Sequence, residues 1–196
     1  MPDILKKAIV KIKKENGDIA GTGFLVSDMK IVTCSHVIEH ALEMDVREGS
    51  PLNKIVHLDF PFCKSPKTIK AKVVFMKSPE LDGTHDIAGL NLIEYPPPDS
   101  KPVPVSTDGI EKLKDCEFKV CGWPDDYDTV VWSYGKVMDE RDDKTIQLED
   151  TKGTGRPIEE GFSGGAVWVE SGMVKIRLRV KAFLIPFLFR FFDNRI

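Results

Sequence analysis

Along the first ninety residues the apolar positions fall in short runs, rich in β-branched residues and set apart by turn signals. Ala8-Ile9-Val10-Lys11-Ile12 leads through Asn16-Gly17-Asp18 into Gly23-Phe24-Leu25-Val26. Ser27-Asp28-Met29-Lys30 then turns the chain into Ile31-Val32-Thr33. Runs of this length, spaced by Gly, Asn and Asp, are the pattern of hairpins in a barrel or sandwich. Val37 to Glu48 has helical character worth a turn or two, and Ile55–Leu58, Ile69–Phe75 and Ile87–Ile93 read as three further strands.

Between Pro96 and Pro104 five of nine residues are proline. A proline has no N–H to give to a ladder, so this stretch crosses the surface as a linker. Beyond it the strand pattern resumes at Cys116–Cys121, Thr129–Ser133, Gly135–Met138, Thr145–Leu148 and Gly165–Val169. The expected organisation is an N-terminal β-barrel over residues 1–95, a linker over 96–104, a C-terminal β-barrel over 105–181 and an atypical tail over 182–196. Met173 to Lys181 alternates apolar and basic residues as an amphipathic strand does, and an aromatic-rich segment broken by Pro186 follows it.

Composition adds exclusions. With 41% hydrophobic and 30% charged residues, the chain is that of an ordinary globular protein, and its net charge of −3 gives no support for nucleic-acid binding. The charge is uneven: from Gly172 onward there are six basic residues and one acid. The N-terminal segment lacks an apolar run of secretory length, and no segment has the roughly 18 apolar residues of a membrane-spanning helix. Four cysteines and no export signal give the expectation of reduced thiols in a cytoplasmic protein. Cys116 and Cys121 lack the second pair of ligands that a zinc site needs, so neither metal nor cofactor is expected.

The chemistry concentrates in Gly161-Phe162-Ser163-Gly164-Gly165. Flanking glycines leave a serine hydroxyl and its backbone N–H open together to an incoming carbonyl. Such a segment serves two unrelated designs, one in which the acid and the histidine follow the serine in the chain and one in which they precede it. His36, His40, His57 and His85 all precede Ser163, and strand–helix alternation is lacking, which removes the first design. His36 ends a hydrophobic strand in Thr33-Cys34-Ser35-His36-Val37, a rigid mount for a base, while the other three histidines are read as structural or exposed. Asp86 heads the alternating strand Asp86–Leu92 and is the candidate acid. Asp82 is second to it, in a Leu-Asp-Gly turn that accounts for it without function.

These motifs together resemble the bacterial trypsin-like and HtrA-like serine proteases. Gly21-Thr22-Gly23-Phe24 with Ile31–Val37 is similar to their strand and histidine motif, His85-Asp86-Ile87-Ala88 to their aspartate strand, and Phe162–Val167 to their nucleophile loop. Gly122-Trp123-Pro124 is similar to a Gly-aromatic-Pro often found between aspartate and serine, and the order His, Asp, Ser agrees, with spacings of 50 and 77 residues. The resemblance implies an all-β fold of two packed six-stranded antiparallel β-barrels, chymotrypsin-like. The 33 residues after Ser163 look short for completing the second barrel.

It further implies a serine endopeptidase acting on polypeptides, with Ser163 as nucleophile, His36 as general base, Asp86 as its orienting acid and the Gly161 and Ser163 N–H groups as oxyanion hole. Pro157 stands where the family floors its primary pocket, with Glu160 and Phe162 as further pocket candidates and Glu159 nearby. Without an acid at that floor the preference leans to an apolar or small residue. The implied setting is an intracellular protease, with association with a larger partner system as an option. The alternative is a catalytically weak protease-fold module that binds peptides or partners through its cleft or its C-terminal tail. Contact of the tail with a membrane surface is the disfavoured use of its basic, aromatic character.

Overall fold

A computed structural model describes residues 3–78, 85–103, 112–124, 127, 129–140, 146–150, 157–171 and 173–178. A single turn of helix, α1 (Asp3–Lys6), precedes β1 (Ile9–Lys13), β2 (Ile19–Ser27) and β3 (Lys30–Thr33). Then come α2 (Ser35–Leu42), β4 (Ile55–Asp59), β5 (Thr68–Lys77) and β6 (Ile87–Leu92). These six strands close into an antiparallel barrel in the order β1-β2-β3-β6-β5-β4, with β1 pairing back onto β4 through Lys11 opposite Asp59. Pairing and alternation place Ile12, Leu25, Ile31, Leu58, Ile69, Val73 and Leu90 on one face, inside, each at most 1% exposed, while Ile9 and Phe24 are buried on the other face. Where one face of every strand is buried in this way, register is set by the apolar pattern, because a slip of one residue would turn the whole set outward.

The second half is an open five-stranded antiparallel sheet in the order β11-β10-β7-β8-β9. Its strands are β7 (Glu117–Gly122), β8 (Val131–Glu140), β9 (Ile146–Asp150), β10 (Ala166–Ser171) and β11 (Met173–Leu178). It encloses a smaller core of Leu113, Phe118, Val120, Val137, Phe162, Val167 and Val169. The six closed strands expected of this half are therefore five in an open sheet among the described residues, with β9 and β11 as its edges. β11 takes up part of the amphipathic segment, whereas the tail over 182–196 lies outside the described residues.

One boundary differs from the sequence pattern. Thr129–Ser133 and Gly135–Met138 are not two strands but parts of the single strand β8. Gly135 does not mark a turn there. It faces β9, and a Cβ on it would collide with the backbone carbonyl of Glu149, so the glycine permits close approach of two strands.

The proline-rich linker runs along the barrel rather than away from it. The Val103 N–H donates to the Leu25 carbonyl at 3.0 Å, and Val103 is itself buried. The main core continues past the linker into Cys121, Trp123, Ala166 and Trp168, so the halves share apolar contact. Trp123 also lies against Phe62, with ring centroids 6.4 Å apart, and under the Lys11 ammonium at 5.0 Å.

Phe24 is fully buried in the main core. Phe24→Ala is expected to lower the unfolding free energy by about 3–5 kcal/mol, as for other large-to-small changes in a packed core. Urea denaturation followed by tryptophan fluorescence measures it.

Candidate functional site

The end of β3, the start of α2 and the start of β6 bring His36 and Asp86 together. β3 pairs with β6 through Thr33 opposite Ala88, which sets the residues just beyond each strand side by side. His36 Nδ1 lies 2.7 Å from Asp86 Oδ2. The other carboxylate oxygen, Oδ1, accepts from the Ser35 hydroxyl at 2.6 Å and from the His36 backbone N–H at 3.2 Å. Both oxygens are thus held, which fixes the carboxylate plane relative to the imidazole.

Burial by itself pushes the Asp86 carboxyl up. The hydrogen bonds from His36 and Ser35, together with the His36 charge, outweigh that and hold it well below the usual carboxylate range. Asp86 is an anion at neutral pH. An anionic acceptor on one ring nitrogen favours the tautomer protonated at Nδ1, which leaves the Nε2 lone pair for a substrate or a nucleophile. Glu39, one turn along α2 from His36, behaves oppositely: desolvation raises its carboxyl, and it accepts from the buried Ser78 hydroxyl at 3.3 Å.

Ser163 comes from the other half, in the loop before β10, and that loop is pinned to the barrel. The Ser163 carbonyl accepts from the Thr22 N–H on β2 at 2.9 Å. The Gly161 carbonyl accepts from the Trp123 N–H at 3.0 Å and from the Thr22 hydroxyl at 3.3 Å. Gly164 has φ +78° and lies so close to Thr22 that a Cβ there would overlap the Thr22 carbonyl oxygen and the Thr33 hydroxyl. Gly161, at φ +92°, likewise leaves no room for a Cβ beside Trp123 and Pro124. The glycines predicted to free the serine also seat its loop between two walls. Because a Cβ on Gly21 would meet both Val37 and the Ser163 carbonyl, the serine loop lies against the segment that carries His36.

Among the described residues, no backbone acceptor pairs with the Gly161 or Ser163 N–H. Of the pocket candidates, Pro157 and Glu160 are exposed, as is Glu159. Phe162 is instead 4% exposed and packs in the second core, so its side chain serves packing rather than an open pocket wall. Asp82 lies outside the described residues. His40 sits at 6.1 Å from His36, ring centroid to ring centroid, in an edge-on arrangement.

Sequence reasoning missed four residues. Ser35 is fully buried and holds Asp86, and its signal was a hydroxyl residue directly before the histidine. Thr22 and Thr33 form a buried pair, Thr33 Oγ1 donating to the Thr22 carbonyl at 2.7 Å, at the surface that receives the serine loop. Cys34 also joins the site: one donor atom each from Cys34, His36 and Asp86 lie within 4.8 Å of one another. Two other thiols are held protonated by their surroundings. Burial raises Cys121 strongly, and burial with the neighbouring Asp99 carboxylate raises Cys63 to about 11.

Residues 21–174 match the family described as the trypsin-like peptidase domain. The chain belongs to this family. A crystal structure of Rv3671c from M. tuberculosis H37Rv, an inactive form carrying a serine-to-alanine substitution, superposes with a TM-score of 0.52 at 19% identity. The alignment covers 85% of this chain and 75% of that one, and the likeness establishes a shared fold. No curated protein matches the chain. Family and fold together make this a trypsin-like peptidase domain on a chymotrypsin-like frame, nearly all-β, with one closed barrel and one partial sheet.

Asp86 gives a pH test. Its folded-state carboxyl is depressed, so its contribution to stability is present above the unfolded value of about 3.9 and is lost as pH falls through the lower folded value. Asp86→Asn is expected to flatten the acid limb of stability below about pH 4. Urea midpoints measured at a series of pH values for both proteins check it; parallel limbs would contradict the assignment.

Proposed function

We propose that this peptidase domain is a serine endopeptidase working through an acyl-enzyme, with Ser163 as nucleophile, His36 as general base and Asp86 as the group that orients it. The observation that carries the reading is the 2.7 Å contact between His36 Nδ1 and a carboxylate whose second oxygen is separately held. With Nδ1–H committed to Asp86, Nε2 is the nitrogen that accepts the Ser163 proton as the hydroxyl attacks the scissile carbonyl. Asp86 stabilises the imidazolium so formed, and that proton then passes to the leaving amine. Water repeats the sequence on the ester to release the acid and restore the serine.

The oxygen of the scissile carbonyl gains charge during both attacks. The Gly161 and Ser163 N–H groups are the donors for it, and their loop is held from behind by carbonyls already bonded to Thr22 and Trp123. Donors fixed before the reaction need no reorganisation as charge develops, which is worth about 10²–10³ in rate for one such group. The substrate is a polypeptide. Pro157, in place of an acid at the floor of the primary pocket, favours an apolar or small side chain there.

A fluorophosphonate probe is expected to label the folded protein at Ser163, with labelling abolished by Ser163→Ala. It should fall by several orders of magnitude in His36→Ala, turnover of a peptide substrate dropping on the order of 10⁶-fold in either variant. Peptide hydrolysis that survives Ser163→Ala, or a folded wild-type protein that never labels, would overturn the reading.

A further inference from the structure

Beside the His36–Asp86 pair lies a third donor, the Cys34 thiol, that the peptidase reading does not use. The thiol plays no part in acyl transfer, yet its sulfur belongs to a group of three donor atoms no more than 4.8 Å apart. Nor is it there to cap α2. Cys34 occupies the N-cap position, where Ser, Thr, Asp or Asn is usual, and its side chain makes no cap hydrogen bond. The three donors are a sulfur, an imidazole nitrogen and a carboxylate oxygen, a mixture that suits zinc and not magnesium or calcium, which take oxygen ligands.

We propose that Cys34, His36 and Asp86 form a zinc-binding site, and that zinc bound there switches the peptidase off. In a tetrahedral zinc site with bonds of about 2.0–2.3 Å, neighbouring donor atoms are about 3.3–3.7 Å apart. The three donor atoms start within 4.8 Å of one another, so the side chains need only small adjustments to reach that spacing. Cys34 is buried at the end of β3, while the His36 and Asp86 side chains are 39% and 32% exposed, so an ion enters from their side and the fourth position is left to water. The Ser35 hydroxyl and the His36 N–H hold Asp86 through Oδ1, so the carboxylate stays anchored when Oδ2 exchanges its contact with His36 Nδ1 for the metal.

Inhibition follows from which nitrogen the metal takes. Nδ1 is the ring nitrogen on the Asp86 side, 2.7 Å from Oδ2. A metal there uses the Nδ1 lone pair and leaves the ring proton on Nε2. That is the opposite tautomer from the one a general base needs, and it also breaks the contact with Asp86. The inhibitory consequence rests on the serine-peptidase reading; the binding itself does not.

The test separates the two. Calorimetric titration of the Ser163→Ala chain with zinc is expected to show one ion per chain, and magnesium none. Cadmium should give the ultraviolet charge-transfer band of a thiolate–cadmium bond. Cys34→Ala and Cys34→Ser, both checked for folding by circular dichroism, are expected to lose that band and to weaken zinc on the order of ten- to a hundredfold or more. His40→Ala should leave both unchanged, which sets the site apart from a His36–His40 pair one helical turn long. In the active chain, zinc should block fluorophosphonate labelling and a chelator should restore it. Absence of zinc binding, a cadmium band that survives loss of Cys34, or binding that depends on His40 instead would overturn the site. Zinc that binds through Cys34 without blocking labelling would overturn its inhibitory role. A chain that binds zinc but never labels, with or without it, would sink the peptidase reading and leave the site standing.

Discussion

Everything at the centre of this molecule depends on how closely the loop before β10 can press against β2. Gly164 leaves no space for a methyl group beside the Thr22 carbonyl, and the Thr22 N–H holds the Ser163 carbonyl at 2.9 Å. β2 is in turn a fully paired member of a closed barrel, with β1 on one side and β3 on the other. A closed barrel has no edge to fray, so the surface that receives the loop is rigid. That rigidity fixes the loop carrying Ser163 against β2, although 141 residues separate Ser163 from Thr22 and the linker between the halves is rich in proline.

The second anchor is electrostatic. The Asp86 carboxylate is half-buried, which by itself would favour its neutral form, and it stays ionised because hydrogen bonds converge on it. Two of these come from adjacent residues, the Ser35 hydroxyl and the His36 N–H, at the first turn of α2. The same turn that presents the imidazole therefore also holds the acid that orients it. Removing the serine hydroxyl would loosen Asp86 without touching the ring. In that sense Ser35 positions the pair, acting through Asp86 and not on a substrate.

The peptidase and zinc readings meet at one imidazole. A general base with its Nδ1 proton given to a carboxylate has its lone pair on Nε2. A metal ligand through Nδ1 has the reverse arrangement. A thiol placed next to that carboxylate makes both arrangements accessible to the same three residues. The other thiols have no comparable company: Cys121 is deep in the seam, and Cys63 is raised by burial and by an acid with which it competes for charge.

Much of this could be seen along the chain. Alternation and turn residues placed ten of the eleven strands to within a few residues, because each strand of a half-buried sheet must put every second side chain inside. Gly135 deceived, since a glycine at a turn and a glycine under a neighbouring strand look alike until the neighbour is known. The order of His36, Asp86 and Ser163 was legible because it depends only on residue type and position, and so was the exclusion of the reverse order. What sequence could not supply were contacts between segments far apart: Thr22 against the serine loop, Thr33 bonded to Thr22, and Ser35 bent back to Asp86. Nor could it tell that Phe162 turns into the core while Pro157 and Glu160 stay exposed, since apolar character alone does not say which wall a side chain faces. Local pattern determined the strands and the chemistry that was present; only tertiary pairing, of β3 with β6 and of the serine loop with β2, decided which of those groups lie together.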